Sequence, residues 1–508
     1  MFVALISDRE IELPRRCSFQ IFHRHPFVAV EFNAPTASHT YHSRAIPSPP
    51  QYGFQASGWR LTDRSLQVVR DICSGWPVYW VSTPSCVVIS DSMHGLRLLG
   101  IQFEVLPSLL QEFLTYGYVF PPNTLLRDVK QLFPGQRLSV TWDQTGNFEV
   151  TTDNPVDIFL KEFAGREPEK GVSTAIEDAL IQTECSDNEI GVLLSGGLDS
   201  TLLFHYARNR WPNIQSYSVS YWFDEYHDME KDYAETCASY LGANHRHFKP
   251  QSIEFFENVI WSIHTTGVPL LRMQTALLRS LITIIPKRCR ALLCGQGADA
   301  VFGLSSQVTL LSGTQIDCFH PGPGCDFLLD ELEVDLMAVQ ANRHEFMDDL
   351  NRAMVLVDAV ACFDIAGGMV ATQAEWSQVV AGQGRELVYP YLFHSLRAYT
   401  IGTDAYEKFL EPKYLLRRVA RKIGIPEWII ARKKASFGPT CTDWEAQLLP
   451  LFSICRRTFD EAVVRSASKN HNARYVLWNM LTYSIWRELF VEEQDPEDLL
   501  RGIRSSEV

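Results

Sequence analysis

Residues 191–205 read GVLLSGGLDSTLLFH, an apolar run, then Ser-Gly-Gly, then an acid with two hydroxyl groups, then apolar residues again. IGVLL has the length of a buried parallel strand and TLLFHYA has the spacing of a helix face, so Ser195 to Ser200 form the turn between them. Glycine lets the backbone bend tightly and approach a ligand, while the first amides of the following helix point outward, and that combination binds phosphate. The GxxxxGK[ST] pattern is absent, so this is not a Walker A loop. Asp199 is the informative residue. A carboxylate beside phosphates is repulsive unless a divalent cation lies between them, so Asp199 predicts Mg²⁺. An ordinary strand-to-helix turn capped by Asp199 accounts for a bare SGG equally well. The full SGGxDS after a buried strand is far more specific.

A second stretch, ALLCGQGADAVFG at 291–303, repeats the logic with a short apolar strand, a Gly-x-Gly turn and Asp299. Taken alone it reads as another capped glycine turn. Taken with the first, two strand-end loops each offering glycine backbone and one Asp hold a triphosphate and its metal from two sides, since open α/β sheets bind ligands at the carboxyl ends of their strands.

Composition sets the class. The 508 residues are 46% apolar and 21% charged, which suits a globular chain of two or more domains. A formal charge of −14 gives nucleic acid no overall attraction. The opening residues MFVALISDREIELPRR lack a basic leader and a long apolar core, and no long uncharged apolar run predicts a spanning helix, so the expected setting is cytoplasmic, without membrane or nucleic-acid partners. Twelve scattered cysteines without a CxxC pair read as reduced thiols, with neither zinc nor disulfides expected. Short β-like segments such as FVAVEF, PVYWV and CVVISD fill residues 1–155, and helical periodicity broken by brief apolar strands fills 156–508. The expected fold class is α/β, with an N-terminal sheet-rich domain at 1–155 and a parallel-sheet domain with many helices at 156–508.

SGGLDS followed about 100 residues later by CGQGADAVFG resembles the PP-loop ATP pyrophosphatase domain of the asparagine synthetase superfamily. LVYPYL and then EPKYLLRRVARKIGIPEWIIARKKASFG are similar to that family's late helical region, which ends in R-x-K-x-x-F. SDSMHGLRLL and FLTYGYVFPPNTLLRDVKQLFPGQRL resemble segments of its N-terminal glutaminase-like αββα domain. The resemblance implies ATP and Mg²⁺ as cofactors. It places Leu194, Ser195, Gly196, Gly197, Asp199, Ser200, Gly295 and Gly297 around the phosphates, Val219 at the adenine, Asp199 and Asp299 on the metal, and Lys434 as the catalytic cation of R-x-K. Arg417 and Lys413 are expected to assist phosphate binding.

Two departures shape the expected chemistry. Glutamine-using members carry a catalytic Cys after the initiator Met, whereas this chain reads Met1-Phe2 and its Cys17 lies inside RRCSF, so no glutaminase activity is expected. A degenerate glutaminase fold on a working PP-loop half resembles the β-lactam, carbapenam and lasso-peptide macrolactam synthetases, which use an amine already on the substrate. Between the two glycines of the second signature, Gln296 stands where relatives carry Glu or Tyr. It is expected to position substrate and not to move a proton. Candidate bases are Glu331 in DFLLDELEVDL, Glu375 in QAEWSQ, or the released phosphates themselves. The expected function is an ATP-dependent amide-forming synthetase of lactam or macrolactam type, acting on an amino-carboxylate or precursor peptide in specialised metabolism, with a partner biosynthetic enzyme as a further expectation. The alternatives are an ammonia-dependent asparagine synthetase-like enzyme, a tRNA-modifying PP-loop protein, which would call for CxxC pairs and a basic surface, and a non-catalytic ATP-binding scaffold.

Overall fold

The structure is a computed structural model that describes residues 2–7, 20–24, 27–32, 58–72, 75–145, 147–163, 171–183, 185–186, 189–222, 225–303, 324–408, 410–432 and 444–506. Cys17 and Lys434 lie outside the described residues.

Among the described residues, ten strands precede residue 153: β1 (Phe2–Ser7), β2 (Gln20–Arg24), β3 (Phe27–Phe32), β4 (Gly58–Thr62), β5 (Ser65–Val69), β6 (Tyr79–Ser82), β7 (Cys86–Ser90), β8 (Lys130–Gln131), β9 (Arg137–Trp142) and β10 (Phe148–Thr152). They form two antiparallel sheets, ordered β2-β3-β1-β7-β6-β8 and β10-β9-β5-β4. The period of two along a strand decides which residue faces what. Ala4 and Ile6 of β1 share a core with Leu66, Val68, Leu138 and Val140 of the second sheet. Leu5, between them, packs with Met93, Leu96 and Phe113 from the helices Met93–Leu98 and Pro107–Tyr116. β1 is therefore apolar on both faces, and each large aliphatic side chain buried this way contributes about 1.5–3 kcal/mol. The far face of the second sheet is exposed at Arg137 and Thr141.

The later part is built on five parallel strands, β11 (Ile190–Leu193), β12 (Gln215–Val219), β13 (Asn244–Phe248), β14 (Ala291–Leu293) and β15 (Glu386–Val388), ordered β13-β12-β11-β14-β15. The chain runs outward from β11 to β13, then returns to the other side of β11 for β14 and β15. This reversal makes β11 and β14 neighbours, paired Ile190↔Ala291 and Val192↔Leu293, and opens a crevice beyond their carboxyl ends. The α/β class with a parallel sheet and many helices is as the sequence implies.

The helix Arg474–Phe490 joins the two parts, and nearly all of its side chains from Val476 on are buried. Trp486 Nε1 donates to the Gly267 carbonyl at 2.8 Å, and Asn479 Nδ2 donates to the Leu114 carbonyl at 2.9 Å, across to the sheet-rich part. Residues Leu356–Ala381 form one continuous helical run, long and apolar enough by length and composition to cross a membrane, although Asp358, Asp364 and Glu375 interrupt it, so no long uncharged run is present there. With 72% of its most apolar stretch inside the protein, it serves here as a core helix. It also contains a π-turn, Ile365–Met369, in which Gly367 departs from helical dihedrals at φ −110° and ψ −105°.

Candidate active site

The first loop, after β11, is held by its own hydroxyls. Ser195 Oγ and Ser200 Oγ lie 3.1 Å apart, the Ser195 amide donates to Ser200 Oγ at 3.2 Å, and Ser200 Oγ donates to the Gly197 carbonyl at 3.2 Å. The Leu194 amide donates to the Tyr217 carbonyl at 2.9 Å, extending the sheet ladder into the loop. Gly196 sits at φ +73°, and a Cβ there would lie 2.7 Å from the Tyr233 carbonyl oxygen, so only glycine fits. Gly197 caps the helix Leu198–Arg210, whose first amides face the loop.

The second loop, after β14, leans on the first. A Cβ on Gly295 would lie 3.2 Å from the Ser200 amide nitrogen and 3.3 Å from Asp199 Cβ. Gly297 is left-handed at φ +94°, with Leu392 Cγ 2.5 Å from where its Cβ would be. Leu392 belongs to LVYPYL, and Tyr391 Oη of the same segment donates to the Asp199 carbonyl at 2.9 Å. One segment thus seats both loops.

Asp199 and Asp299 face a common point, and Lys413 occupies it. Its Nζ lies 2.8 Å from Asp299 Oδ1 and also bonds Asp199 Oδ2, and the three side chains are only 12–26% exposed. Burial alone lowers an ammonium pKa, but the two carboxylates outweigh it and hold Lys413 above its usual value.

A cavity of about 920 Å³ opens over both loops. Of the residues singled out from the sequence, Leu194, Ser195, Gly197, Asp199, Ser200, Val219, Gly295, Gln296, Gly297 and Asp299 line it. Gly196 shapes the loop from beneath. Arg417 and Lys413, expected to assist phosphate binding, are not among the residues that line the cavity; the Arg417 guanidinium donates to the carbonyls of Pro412 at 2.9 Å and Ile430 at 2.7 Å. The proposed bases are also relocated. Glu331 accepts from Ser466 Oγ at 3.2 Å on an exposed surface and does not line the cavity. Glu375 is buried behind the cavity wall, where it accepts the Leu271 amide, the Arg272 amide at 3.3 Å and Thr275 Oγ1 at 2.7 Å. Burial pushes its carboxyl up to about 7 against those bonds.

Several features went unread in the sequence. Arg432 donates to the Ser195 carbonyl at 3.1 Å, pairs with Glu230 and lies 4.1 Å over the Tyr233 ring, which pins the start of the basic triplet against the first loop. A Ser–His ladder runs along β12 and β13: Ser216 Oγ to His245 Nδ1 at 2.9 Å, His245 Nε2 to Ser218 Oγ at 2.9 Å, Ser218 Oγ to His247 Nδ1 at 2.8 Å, His247 Nε2 to Ser220 Oγ at 3.0 Å. Burial lowers His245 to about 4, so it is neutral near pH 7, and the ladder meets the cavity at Ser218 and His247 beside Val219. The signal was present as alternate Ser in QSYSVS and alternate His in NHRHF, but only the parallel register Ser216↔His245 brings them together. Besides the loop residues the cavity is lined by Met273, Met369, Trp376, Tyr475 and Trp478, with Arg272, Asp364 and Arg474. Trp376 Nε1 and Gln296 Oε1 are both buried without a hydrogen-bond partner among the described residues.

No group of three or more His, Cys, Asp or Glu side chains among the described residues is placed to hold a metal. Two converging carboxylates nevertheless fit magnesium, which takes one or two protein carboxylates and completes its shell with substrate phosphates and water.

A doubly wound parallel sheet whose switch point carries two glycine loops and paired carboxylates defines the class: an α/β protein with a phosphate-type ligand site at its strand ends. The family model described as asparagine synthase matches residues 171–497, well over half of the chain, and the chain belongs to that family. It is 25% identical over 507 residues to "Asparagine synthetase [glutamine-hydrolyzing] 1" of Bacillus subtilis, with 87% of this chain and 78% of that protein covered. It is 22% identical over 516 residues to a "Putative asparagine synthetase [glutamine-hydrolyzing]" of Mycobacterium tuberculosis, covering 85% and 76%. Over 145 residues, 26% of this chain and 24% of the relative, it is 33% identical to an asparagine synthetase of Brassica oleracea. Membership implies ATP-dependent amide formation by a C–N ligase.

Proposed function

We propose that this protein is an amide-forming synthetase of the lactam type, in which an amine carried by a bound amino-carboxylate or peptide takes the place of ammonia. The observation that carries this reading is the apolar part of the cavity lining. Trp376, Trp478, Tyr475, Met273 and Met369 line the same space as the two loops, about 920 Å³. That is near the upper end for small-molecule sites and holds a nucleotide together with a second, sizeable molecule. Ammonia has no use for such a lining. Arg272, Arg474 and Asp364, which line the same cavity, supply charges for the carboxylate and amine ends of the substrate.

In this reading the loop amides at 195–200 and 295–297 cradle the triphosphate, and Val219 at the end of β12 receives adenine. A substrate carboxylate oxygen attacks the α-phosphorus, the bond to pyrophosphate breaks, and an acyl-adenylate forms. The amine nitrogen then attacks the acyl carbon, expels AMP and loses its proton. Bound magnesium would screen the phosphate charges and stabilise the leaving pyrophosphate, held by Asp199 and Asp299. Lys434, at the family's R-x-K position, would stabilise charge developing at the α-phosphate. Residues 1–155 act as a scaffold without glutamine hydrolysis in this proposal, because the residue that opens β1, Phe2, offers no thiol.

The relatives' names, glutamine-hydrolyzing asparagine synthetases, favour a second reading as an asparagine synthetase-like enzyme; in this chain, with Phe2 after Met1, it would amidate a small acid with free ammonia. Exchange of labelled pyrophosphate into ATP separates the two. Exchange stimulated by aromatic or large apolar amino-carboxylates, with loss of one water from the substrate by mass spectrometry, supports the lactam reading. Exchange stimulated by aspartate, with asparagine formed from added ammonia, overturns it. Release of glutamate from glutamine would overturn the scaffold assignment of residues 1–155.

A further inference from the structure

Lys413 does more than stand near the phosphate loops. We propose that it is the built-in counter-ion of the carboxylate pair: without nucleotide its ammonium keeps divalent cations off Asp199 and Asp299, so the metal is admitted only together with a triphosphate. This rests on the reading of those two residues as the metal pair.

Two carboxylates converging in a partly buried site repel each other and demand a cation. The ammonium supplies one charge against two and bonds both groups, at 2.8 Å to Asp299 and in direct contact with Asp199. A divalent ion arriving alone must break both of those bonds, and gains only a pair whose net charge is already reduced to one. A triphosphate changes the balance, because its oxygens offer ligands to the metal and an equally good anion to the displaced lysine.

The backbone is arranged to hold the ammonium there. Lys413 adopts φ +60° and ψ +34°, the left-handed region that a residue with a side chain avoids, immediately before the helix Tyr414–Lys422. A backbone held in a disfavoured region at a ligand site points to a functional constraint. Arg417 secures the bend by bonding the Pro412 carbonyl at 2.9 Å from one side and the Ile430 carbonyl at 2.7 Å from the other. Its place outside the cavity thereby acquires a purpose: Arg417 positions Lys413.

The test is Mn²⁺ binding to the whole protein, followed by the electron paramagnetic resonance signal of free Mn²⁺, with and without a non-hydrolysable ATP analogue. The wild type is expected to bind Mn²⁺ stoichiometrically only with the analogue. Lys413→Met and Lys413→Gln, checked for native circular dichroism, are expected to bind it without nucleotide at least about 10-fold more tightly than the wild type, and Asp199→Asn added to either should abolish that gain. Lys413→Arg keeps the positive charge, folds without leaving the carboxylates unpaired and should behave as the wild type. Equal nucleotide-free binding by wild type and Lys413→Met overturns the counter-ion proposal while leaving the metal pair standing. Failure of wild type and variants to bind Mn²⁺ even with the analogue overturns the metal pair and the proposal together.

Discussion

Arg343, on the helix Leu336–Ala353, lies 2.9 Å from Glu112 on the helix Pro107–Tyr116, with side-chain exposures of 2% and 5%. The same guanidinium donates to Tyr118 Oη at 2.9 Å and lies 3.8 Å over the Tyr116 ring. Tyr118 in turn fills the space beside Gly367, where a Cβ would meet its Oη at 2.6 Å, and Gly368 and Met369 of the same π-turn line the cavity. One buried cation thus connects the sheet-rich part to the wall of the candidate active site.

Breaking that connection at one end is expected to be severe. Burial raises the Glu112 carboxyl, and Arg343 opposes the rise. Arg343→Met leaves a buried acid without its counter-ion, bonded by the Phe120 amide, and should cost about 3–5 kcal/mol, read from the urea midpoint. The double variant Glu112→Gln, Arg343→Met removes the orphaned charge and should recover most of that loss.

The second loop depends on glycine in a way that can be separated from ordinary backbone strain. Gly297→Ala meets both a left-handed φ and Leu392, whereas Gly100 has φ +79° with nothing within 4 Å of its missing Cβ. Gly100→Ala should cost about 1–2 kcal/mol and leave ATP–pyrophosphate exchange unchanged. Gly297→Ala should cost more and abolish exchange, since Leu392 has to move and it seats the loop.

The two glycine loops and their acids were legible because the chemistry they imply needs only local order: strand, glycine bend, acid, helix. The sheet order that makes their strands neighbours was not in the local pattern and is seen only in the fold, where β11 pairs with β14. Arg417 and Lys413 mark the limit. Four residues apart in one basic segment, they look equivalent in sequence, and only the left-handed turn at Lys413 sends one ammonium to the carboxylates while Arg417 bonds main-chain carbonyls. The place of Glu375 was not legible for a similar reason, since an acid on a helix face reads the same whether it meets the cavity or the back of its wall. Trp376, one residue on, is the one that faces inward.

Asp199→Asn should leave the fold in place, because Lys413 keeps Asp299 and the loop keeps its serine hydroxyl bonds. Its unfolding midpoint should stay within about 1 kcal/mol of the wild type, in the range of a weakened partly buried pair. Metal-dependent pyrophosphate exchange should be lost. Full exchange in a folded Asp199→Asn protein would remove this carboxylate from the mechanism.

Glu375 makes stability depend on pH in a definite direction. Its folded pKa, about 7, lies above the usual value of 4.5 for a glutamate because burial disfavours the carboxylate. The folded state therefore holds the proton more tightly, and stability falls as pH rises from about 4.5 through 7. A shift of that size corresponds to about 3 kcal/mol. Glu375→Gln carries no charge to bury, so the difference in urea midpoints between variant and wild type should move in favour of the variant from pH 5 to pH 8. A pH-independent difference would mean that Glu375 stays ionised throughout.

Trp376 offers the most direct reading of the apolar lining as a substrate site. Its indole N–H is buried without a partner among the described residues, while the ring forms part of the apolar wall. An unsatisfied buried donor costs about 1–3 kcal/mol in the empty protein, and a single neutral hydrogen bond contributes about 0.5–1.5 kcal/mol when a partner arrives. Trp376→Phe keeps an aromatic face and removes the donor, so thermal stability should hold or rise. The KM of the acceptor substrate should increase by roughly 3- to 10-fold, the ratio that corresponds to one such bond, with the KM of ATP unchanged. A rise in the KM of ATP instead would place the indole against the nucleotide and remove it from the substrate site.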